Sequence, residues 1–447
     1  MKKFAKVLTS IAAASLLAAC SSAPAEPSAD QQTETEPTAV TGTYTRFVQG
    51  DDWGASVSRI NITFDTAVDS FDKDHVSITE TRVAPDWGAE GMPLSMVTSQ
   101  RNIIDAYLTD ASGNKTTEAS TTAVVELNIG PSEGNALTYN AAITRNEWSP
   151  YKLDIDVDTT AGGNTAAVTI APNPAGTETS ADMFSIDSYT ASNGTTYGYA
   201  YYEPETESKT LVVWLHGGGE GHVREGGTDP RIPLLGNEAA NLASEEFQNI
   251  VGGAYVLSPQ CPSYWMDRDG HDSIAVQDYT LSTEKSFYTE SLHEMIMAYK
   301  EKVGAEKVIL TGCSNGGYMT LLQAINYTDD YDAYVMICES LKSENITDAD
   351  IEKIKDKPLF FIWSSADTTV VPEDCSKTNV ERLQAAGASD LHVFNPEKVT
   401  DTSGRFKDEN GNAHEYAGHW SWIYFDNNEA VDENGLSAWD FIAQNAK

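Results

Sequence analysis

The sequence predicts a two-domain protein in which an all-β sandwich precedes a mostly parallel α/β sheet. From about residue 41 to 170, short alternating runs such as SVSRINITF and KLDIDVD are separated by clusters of Gly, Asn, Asp and Pro, a pattern typical of an antiparallel sandwich. From residue 183 onward, continuous apolar runs such as LVVWL, VILTG and PLFFIW alternate with helical patterns, which indicates strands covered by helices on both faces. The linker-like segment APNPAGTETSA separates the two patterns. We therefore predict domains at 41–175 and 183–447.

The N-terminus has the features of a secretion signal. Three lysines occur by position 6, an apolar stretch too short to cross a bilayer follows, and the sequence Leu-Ala-Ala-Cys ends at Cys20. This arrangement resembles a bacterial lipoprotein signal, in which the thiol of Cys20 receives the lipid and becomes the mature N-terminus. Residues 20–40 are rich in Ser, Pro, Glu and Thr and lack aromatic residues, which predicts a flexible tether. We expect residues 1–19 to be removed and the protein to be a lipoprotein anchored on the extracytoplasmic side of a membrane.

Charge and cysteine content limit the partners that the protein can have. Removal of the three signal lysines takes the formal net charge from -38 to -41, which disfavours nucleic acid and anionic lipid as partners. The cysteines at 261, 313, 338 and 375 lack the close spacing of zinc ligands, so we interpret them as mostly buried thiols, with one disulfide compatible with the sequence. The segment DRDGHD at 267–272 lacks the full ligand spacing of a calcium loop. We expect no cofactor and no metal ion, and the sequence does not specify an oligomeric state.

A candidate nucleophile lies in TGCSNGGYMT at 311–320. Gly312 and Gly316 frame Ser314 in the pattern G-x-S-x-G, which allows a strand to turn sharply into a helix with the central hydroxyl exposed. An ordinary glycine-rich turn is the alternative. Cys313 carries a more nucleophilic group, but Thr311 and Asn315 would frame it instead of glycines. The strand-like VILTG before Ser314 and the helical pattern after it favour the serine.

A serine hydroxyl needs a base to take its proton and a carboxylate to orient that base. Asp367 follows the predicted strand PLFFIW and is the preferred acid, whereas Asp374 has a sufficient explanation in a first helical turn. Three histidines follow Asp367. His392 lies within the predicted strand LHVF, which leaves His419, in the aromatic segment GHWSW, as the preferred base and His414 as the alternative.

The segment LVVWLHGGGEGH supplies a candidate oxyanion hole. Consecutive glycines let the backbone approach a substrate and direct an N–H group at a developing negative charge. The predicted donors are the N–H groups of Gly218, or of a neighbouring glycine, and of Asn315 after the nucleophile. Trp265 follows the next predicted strand and has two interpretations, a wall of the substrate pocket or a core tryptophan.

Together these motifs resemble a known family. Residues 183–447 are similar to α/β-hydrolases of the prolyl-oligopeptidase-like and polyhydroxybutyrate-depolymerase-like esterase group, through WLHGGGEG, SPQCPSYW, GCSNGGY, the Asp367 loop and GHWSW. The preceding domain, with DDWGASVSRINITFD, is similar to the immunoglobulin-like N-terminal domain of some esterases. The resemblance implies that Ser314, Asp367 and His419 form a triad in a serine esterase that cleaves carboxylic esters through an acyl-enzyme.

Two other functions remain as alternatives. The first is a serine peptidase of the prolyl-oligopeptidase type, although the residues before the second domain are too few for the propeller that gates such enzymes, at about forty residues per blade. The second is a lipoprotein that only binds, which would not need a nucleophile, an acid, a base and oxyanion glycines together. Alkyl esters, acetylated or feruloylated polysaccharide and polyester all remain compatible as substrates.

Overall fold

A computed structural model describes residues 36–86, 88–221, 229–270 and 279–447. The predicted signal, the lipidation site Cys20, most of the tether and the last two residues of DRDGHD lie outside the described residues. Among the described residues, no helix combines the length and the apolar character needed to cross a membrane.

The first domain consists of strands and tight turns. Its strands are β1 (Thr38–Gln49), β2 (Ser56–Val68), β3 (Val76–Pro85), β4 (Leu94–Gln100), β5 (Ile103–Thr109), β6 (Lys115–Thr116), β7 (Ser120–Leu127), β8 (Leu137–Asn140), β9 (Arg145–Trp148), β10 (Tyr151–Val157), β11 (Thr160–Ala161), β12 (Asn164–Ile170) and β13 (Gly176–Thr179). Alternation within a strand decides which face is buried. In β2, for example, Ile60, Ile62 and Phe64 are at most 2% exposed, while Asn61 and Thr63 between them are more accessible.

These strands form two main sheets and one hairpin. The larger sheet has the order β11-β12-β1-β2-β7-β5-β6, with β13 paired to β1, and the smaller has the order β10-β3-β4. Apolar residues of both sheets, such as Ile62 and Ile78, share one core, so the prediction of an all-β sandwich is confirmed. Its strands run from residue 38 to 179, slightly beyond the predicted 41–175 on either side. The separate hairpin of β8 and β9 lies against the second domain.

The second domain alternates strands and helices. Its strands are β14 (Ser185–Thr190), β15 (Thr196–Tyr202), β16 (Thr210–Leu215), β17 (Tyr255–Gln260), β18 (Lys307–Cys313), β19 (Ala333–Ile337), β20 (Leu359–Ile362) and β21 (Leu391–Phe394). Its helices are α1 (Ile232–Leu235), α2 (Glu245–Val251), α3 (Thr289–Val303), α4 (Asn315–Asn326), α5 (Asp348–Ile354), α6 (Ser376–Ala385), α7 (Trp422–Asp426) and α8 (Ala438–Asn445). Short 3-10 helices span Ser180–Met183, Gly218–Glu220, Ala239–Ala243, Tyr279–Leu281 and Ser343–Asn345.

The strand order of the second domain determines where a ligand can bind. The sheet has the order β14-β15-β17-β16-β18-β19-β20-β21; β14 and β15 pair antiparallel, and the strands from β17 to β21 are parallel. Strand β16 lies between β17 and β18, so the chain changes direction across the sheet at this point. Ligands of open α/β sheets bind at the carboxyl ends of the strands at such a switch point. The predicted α/β fold is confirmed, and its candidate site lies beyond β16 and β18.

Candidate active site

Ser314 lies at the turn between β18 and α4. Its backbone has φ 53° and ψ -113°, a conformation that L-residues adopt only when the surrounding structure imposes it. The two framing glycines explain how the turn packs. A Cβ atom on Gly316 would lie 1.9 Å from the carbonyl oxygen of Leu215, and one on Gly312 would lie 2.7 Å from that of Gly316. Larger residues at either position would therefore push α4 away from the sheet and displace Ser314.

Ser314, His419 and Asp367 form one hydrogen-bonded chain. The Nε2 atom of His419 lies 2.9 Å from the Ser314 hydroxyl oxygen, and its Nδ1 atom lies 2.7 Å from a carboxylate oxygen of Asp367. The carboxylate can only accept, so Nδ1–H donates a hydrogen bond to it, and Nε2, which carries the free lone pair, accepts the hydrogen bond of the Ser314 hydroxyl. The other oxygen of Asp367 accepts the backbone N–H groups of Thr369 and Val370 at 2.8 and 2.9 Å. The carboxylate is thereby fixed in place.

The loop that carries His419 reaches Asp367 because of Gly418. A Cβ atom at position 418 would lie 2.2 Å from the carbonyl oxygen of Ala366, so the two loops can pack this closely only with glycine there. Trp422 packs edge-on against the His419 ring at 5.5 Å between ring centres. The histidine is 9% exposed as a result.

The alternative acid and bases lie elsewhere or make other contacts. Asp374 is solvent-exposed, and the hydroxyl of Tyr279 donates to it at 3.4 Å. His392 lies in β21, 2.7 Å from Asp432 and 2.9 Å from Asp390. His414 lines the same cavity as Ser314, and its ring packs edge-on against Tyr416. None of these three side chains has a hydrogen bond to Ser314 among the described contacts.

Cys313 does not have the surroundings of a reactive thiol. It is 1% exposed, and burial raises the pKa of its thiol well above the usual value. The side-chain amide of Asn237 donates to its sulfur at 3.9 Å. The thiol is therefore held in its neutral, weakly nucleophilic form.

The glycine-rich segment after β16 lies beside Ser314 and is fixed by His216. Burial lowers the pKa of His216 to about 3, which keeps its ring neutral. Its Nε2 atom accepts the backbone N–H of Cys261 at 2.9 Å, so its Nδ1 donates to the carbonyl oxygen of Gly217 at 2.6 Å. Gly218 and Asn315, the predicted oxyanion donors, line the cavity together with Ser314.

The structure corrects the interpretation of Trp265 as a substrate-contacting residue. Its side chain is 0% exposed and belongs to the core, whereas the next residue, Met266, lines the cavity. The Trp265 indole donates to the carbonyl oxygen of His216 at 3.1 Å, and its backbone N–H donates to the side-chain oxygen of Asn315 at 2.6 Å. Trp265 therefore ties the glycine-rich segment to the first turn of α4 instead of forming a pocket wall.

The cavity in front of Ser314 has a volume of about 910 Å³ and walls from both domains. The second domain contributes aromatic residues from the His419 loop, namely Tyr416, Trp420 and Trp422. The first domain contributes apolar and polar side chains, among them Trp53, Val83, Leu137, Tyr139 and Asn146. Sequence reasoning missed these first-domain residues, because no local motif marks them and only domain packing brings them to the site.

Glu220 links the two domains beside the glycine-rich segment. The Asn146 side chain of β9 donates to it at 2.8 Å, and the carboxyl is 8% exposed. Burial raises the pKa of Glu220 to about 7. A Cβ atom on Gly217 would lie 3.0 Å from the second carboxyl oxygen, so the side chain packs directly under the candidate oxyanion loop.

Comparison with known proteins agrees with this architecture. Residues 43–167 match the family model described as the esterase Ig-like N-terminal domain. Among solved structures, the crystal structure of a thermostable esterase is similar over 87% of this chain and 96% of its own, with a TM-score of 0.66 and 21% sequence identity. A search of curated proteins by sequence finds no match.

Two further solved structures overlap with part of the chain. The acetyl xylan esterase from Aspergillus awamori is 20% identical over 42% of this chain and 76% of its own, with a TM-score of 0.31. The acylaminoacyl peptidase of Pyrococcus horikoshii is 18% identical over 49% of this chain and 37% of its own, with a TM-score of 0.35. Scores this low carry no argument, so the whole-chain likeness and the domain match decide the architecture. The chain therefore has an N-terminal domain that matches the esterase Ig-like model, followed by a domain with the α/β-hydrolase fold.

Proposed function

We propose that the protein is a serine hydrolase that cleaves carboxylic esters. The observation that carries this proposal is the hydrogen-bonded chain from Asp367 through His419 to Ser314, at the wall of a cavity large enough for a substrate. The backbone at Ser314 is held in a rarely populated conformation, as expected where a hydroxyl must project from a tight turn.

The reaction follows from the direction of the hydrogen bonds. The Ser314 oxygen attacks the ester carbonyl carbon while Nε2 of His419 takes the hydroxyl proton, which gives a tetrahedral oxyanion. The backbone N–H groups of Gly218 and Asn315 are the candidate donors to that oxyanion. Collapse of the intermediate breaks the bond to the alcohol, which leaves with the proton from His419. Water then attacks the acyl-enzyme, giving its proton to His419, and the acid is released as the proton returns to Ser314.

The walls of the cavity favour esters with an apolar or aromatic part. Trp53, Leu137, Met266, Trp420 and Trp422 offer apolar surface around Ser314. A carboxylic ester carries no charge at the bond that breaks, so it can enter such a cavity without losing the hydration of an ion. An anionic substrate would also be repelled by the acidic protein, whose formal net charge is -38.

We also propose that the enzyme acts at a membrane surface, held by a lipid on Cys20. This part of the proposal rests on the order of lysines, apolar residues and Leu-Ala-Ala-Cys at the N-terminus. The tether after Cys20 would separate the folded domains from the bilayer.

The test compares Ser314→Ala with Cys313→Ala on p-nitrophenyl esters of graded chain length, aminoacyl-anilides and acetylated xylan. We expect Ser314→Ala to lose ester hydrolysis by roughly three or more orders of magnitude with an unchanged circular dichroism spectrum, since its hydroxyl forms the covalent intermediate. Cys313→Ala is the matched neighbour, and it should retain most of the activity. Wild-type turnover in Ser314→Ala would refute the proposal, and anilide hydrolysis without ester hydrolysis would replace the esterase with a peptidase.

A further inference from the structure

Three carboxyl groups from both domains meet at the domain interface. Asp51 and Asp52 lie in the turn between β1 and β2, and Glu238 follows α1 in the second domain. One oxygen from each lies within 4.8 Å of the others. Small side-chain adjustments would bring three oxygens this close together within the Ca²⁺–oxygen distance of about 2.3–2.6 Å from one shared ion.

A fourth carboxyl group lies beside this cluster, and among the described residues no side chain donates to it. Asp426, at the end of α7, is 1% exposed, and neither of its carboxyl oxygens has a hydrogen bond. The next residue, Asn427, donates to Asp52 at 3.2 Å and to Glu238 at 2.5 Å, which places the end of α7 against the cluster. A buried carboxylate without a donor is costly, so a cation close by would stabilise it.

The charges at the interface do not balance among the described side chains. Arg405 forms an ion pair with Asp51 at 3.1 Å, so a single guanidinium faces four carboxyl groups. A divalent cation would reduce this excess from three negative charges to one.

We propose that Asp51, Asp52 and Glu238 bind one Ca²⁺ ion at the domain interface, where the ion would also offset part of the charge of the adjacent buried Asp426. Carboxylate oxygens are the ligands that this hard cation prefers, and its flexible coordination suits side chains from two domains. An ion can reach the site from the cavity, because Asp52 and Asn237 both line the cavity wall. The sequence predicted no metal ion, because these ligands share no motif and come from distant parts of the chain.

A calcium ion at this site would stabilise the contact between the two domains and would take no part in cleaving the ester bond. Asp51 and Asp52 belong to the first domain, and Glu238 and Asp426 belong to the second. Gly50 brings them together, since a Cβ atom there would lie 2.7 Å from the backbone oxygen of Asn237. The inference therefore stands or falls independently of the proposed reaction.

The experiment uses the full chain after treatment with a chelator and its removal. Calcium chloride is titrated by calorimetry, and thermal unfolding is measured with calcium, with magnesium and with chelator. We expect about one calcium ion per chain and a higher unfolding temperature with calcium than with chelator. Glu238→Gln and Asp52→Asn should each weaken calcium binding by about tenfold or more, because each removes a charged ligand. Glu381→Gln, an exposed acid in α6, is the matched control and should bind calcium like the wild type.

Three results would overturn the proposal. The first is a wild-type chain that neither binds calcium nor changes its unfolding temperature. The second is unchanged calcium affinity in folded Glu238→Gln and Asp52→Asn, each checked by circular dichroism. The third is a response to magnesium alone. A wild type that ignores calcium, together with a stabilised Glu238→Gln, would show instead that protonation balances the cluster.

Discussion

At the scale of single residues, His419 and His414 border the same cavity but differ in their contacts. His419 lies between the Ser314 hydroxyl and Asp367, whereas the His414 ring packs against Tyr416. If His419 is the base, His419→Ala should reduce kcat nearly as far as loss of the serine, by roughly three orders of magnitude, since members of a triad act as a unit. His414→Ala should change kcat little. Steady-state kinetics on a p-nitrophenyl ester checks both variants.

The reverse pattern would move the base to His414. It would consist of an active His419→Ala and an inactive His414→Ala, both folded. The mechanism would then require the loop to rearrange, because His414 has no hydrogen bond to Ser314 among the described contacts.

Local pattern was sufficient to single out the three residues of the hydrogen-bonded chain. Each follows a strand or lies in a distinctive loop, and the glycines beside Ser314 and His419 are explained by contacts that leave no room for a Cβ atom. Trp265 could not be assigned in this way. Its position after β17 is compatible with the cavity or the core, and only the packing of the indole against His216 decides between them.

At the scale of elements, a substitution at Gly418 tests whether the loop that carries His419 must pack closely against the loop that carries Asp367. A Cβ atom there would lie 2.2 Å from the Ala366 carbonyl oxygen, so Gly418→Ala should separate His419 from Asp367. We expect a loss of kcat of about a hundredfold, because small displacements of a catalytic group are costly. Gly176→Ala in β13 is the control, since its new Cβ would make an ordinary contact of 3.6 Å with Thr45. Equal kcat in the two variants would contradict the role of the loop contact.

The buried carboxyl of Glu220, in the 3-10 helix Gly218–Glu220, should make the stability of the protein depend on pH. The pKa of Glu220, raised by burial to about 7, means that the folded protein binds this proton more tightly than the unfolded chain does. The stability that the proton contributes is present below the ordinary carboxyl pKa and is lost as the pH rises to about 7. Urea unfolding at about pH 5 and pH 8 should show a fall in unfolding free energy that is roughly 1 to 3 kcal/mol larger in the wild type than in Glu220→Gln.

The Glu220→Gln variant keeps the hydrogen bond between the two domains. The glutamine oxygen can still accept the Asn146 amide, so only the titration is removed. Identical pH profiles for the two proteins would show that Glu220 titrates normally.

The elements of both domains were predictable because their periodicity is strong. Alternation of apolar and polar residues predicted the strands of the sandwich. The apolar runs of β16, β18 and β20 predicted the parallel sheet. The hairpin of β8 and β9 was not predictable as part of the site. Its contact with Glu220 depends on how the two domains pack, and a single sequence does not encode that packing in any local pattern.

At the scale of the whole molecule, the proposed anchor predicts where the enzyme is found. Cys20→Ser should shift the protein from the membrane fraction to the soluble fraction when it is expressed in a bacterium with a lipoprotein pathway, because the lipid can no longer be attached. Fractionation followed by immunoblotting measures the distribution, and Cys261→Ser, a change at a buried cysteine, is the control. Continued membrane association of folded Cys20→Ser would contradict lipidation at this residue.

The contacts that close the domain interface join residues very far apart along the chain. Arg405 contacts Asp51 across 354 positions, and Asn427 contacts Asp52 across 375. During synthesis, the sandwich can fold while the later residues are still on the ribosome, but its surface at Asp51 and Asp52 then has no counterpart. The pocket in front of Ser314 is therefore completed only after Trp422, the last residue along the chain that lines it, has been made. Chains that end before His419 would expose half of the pocket and would lack the base of the proposed reaction.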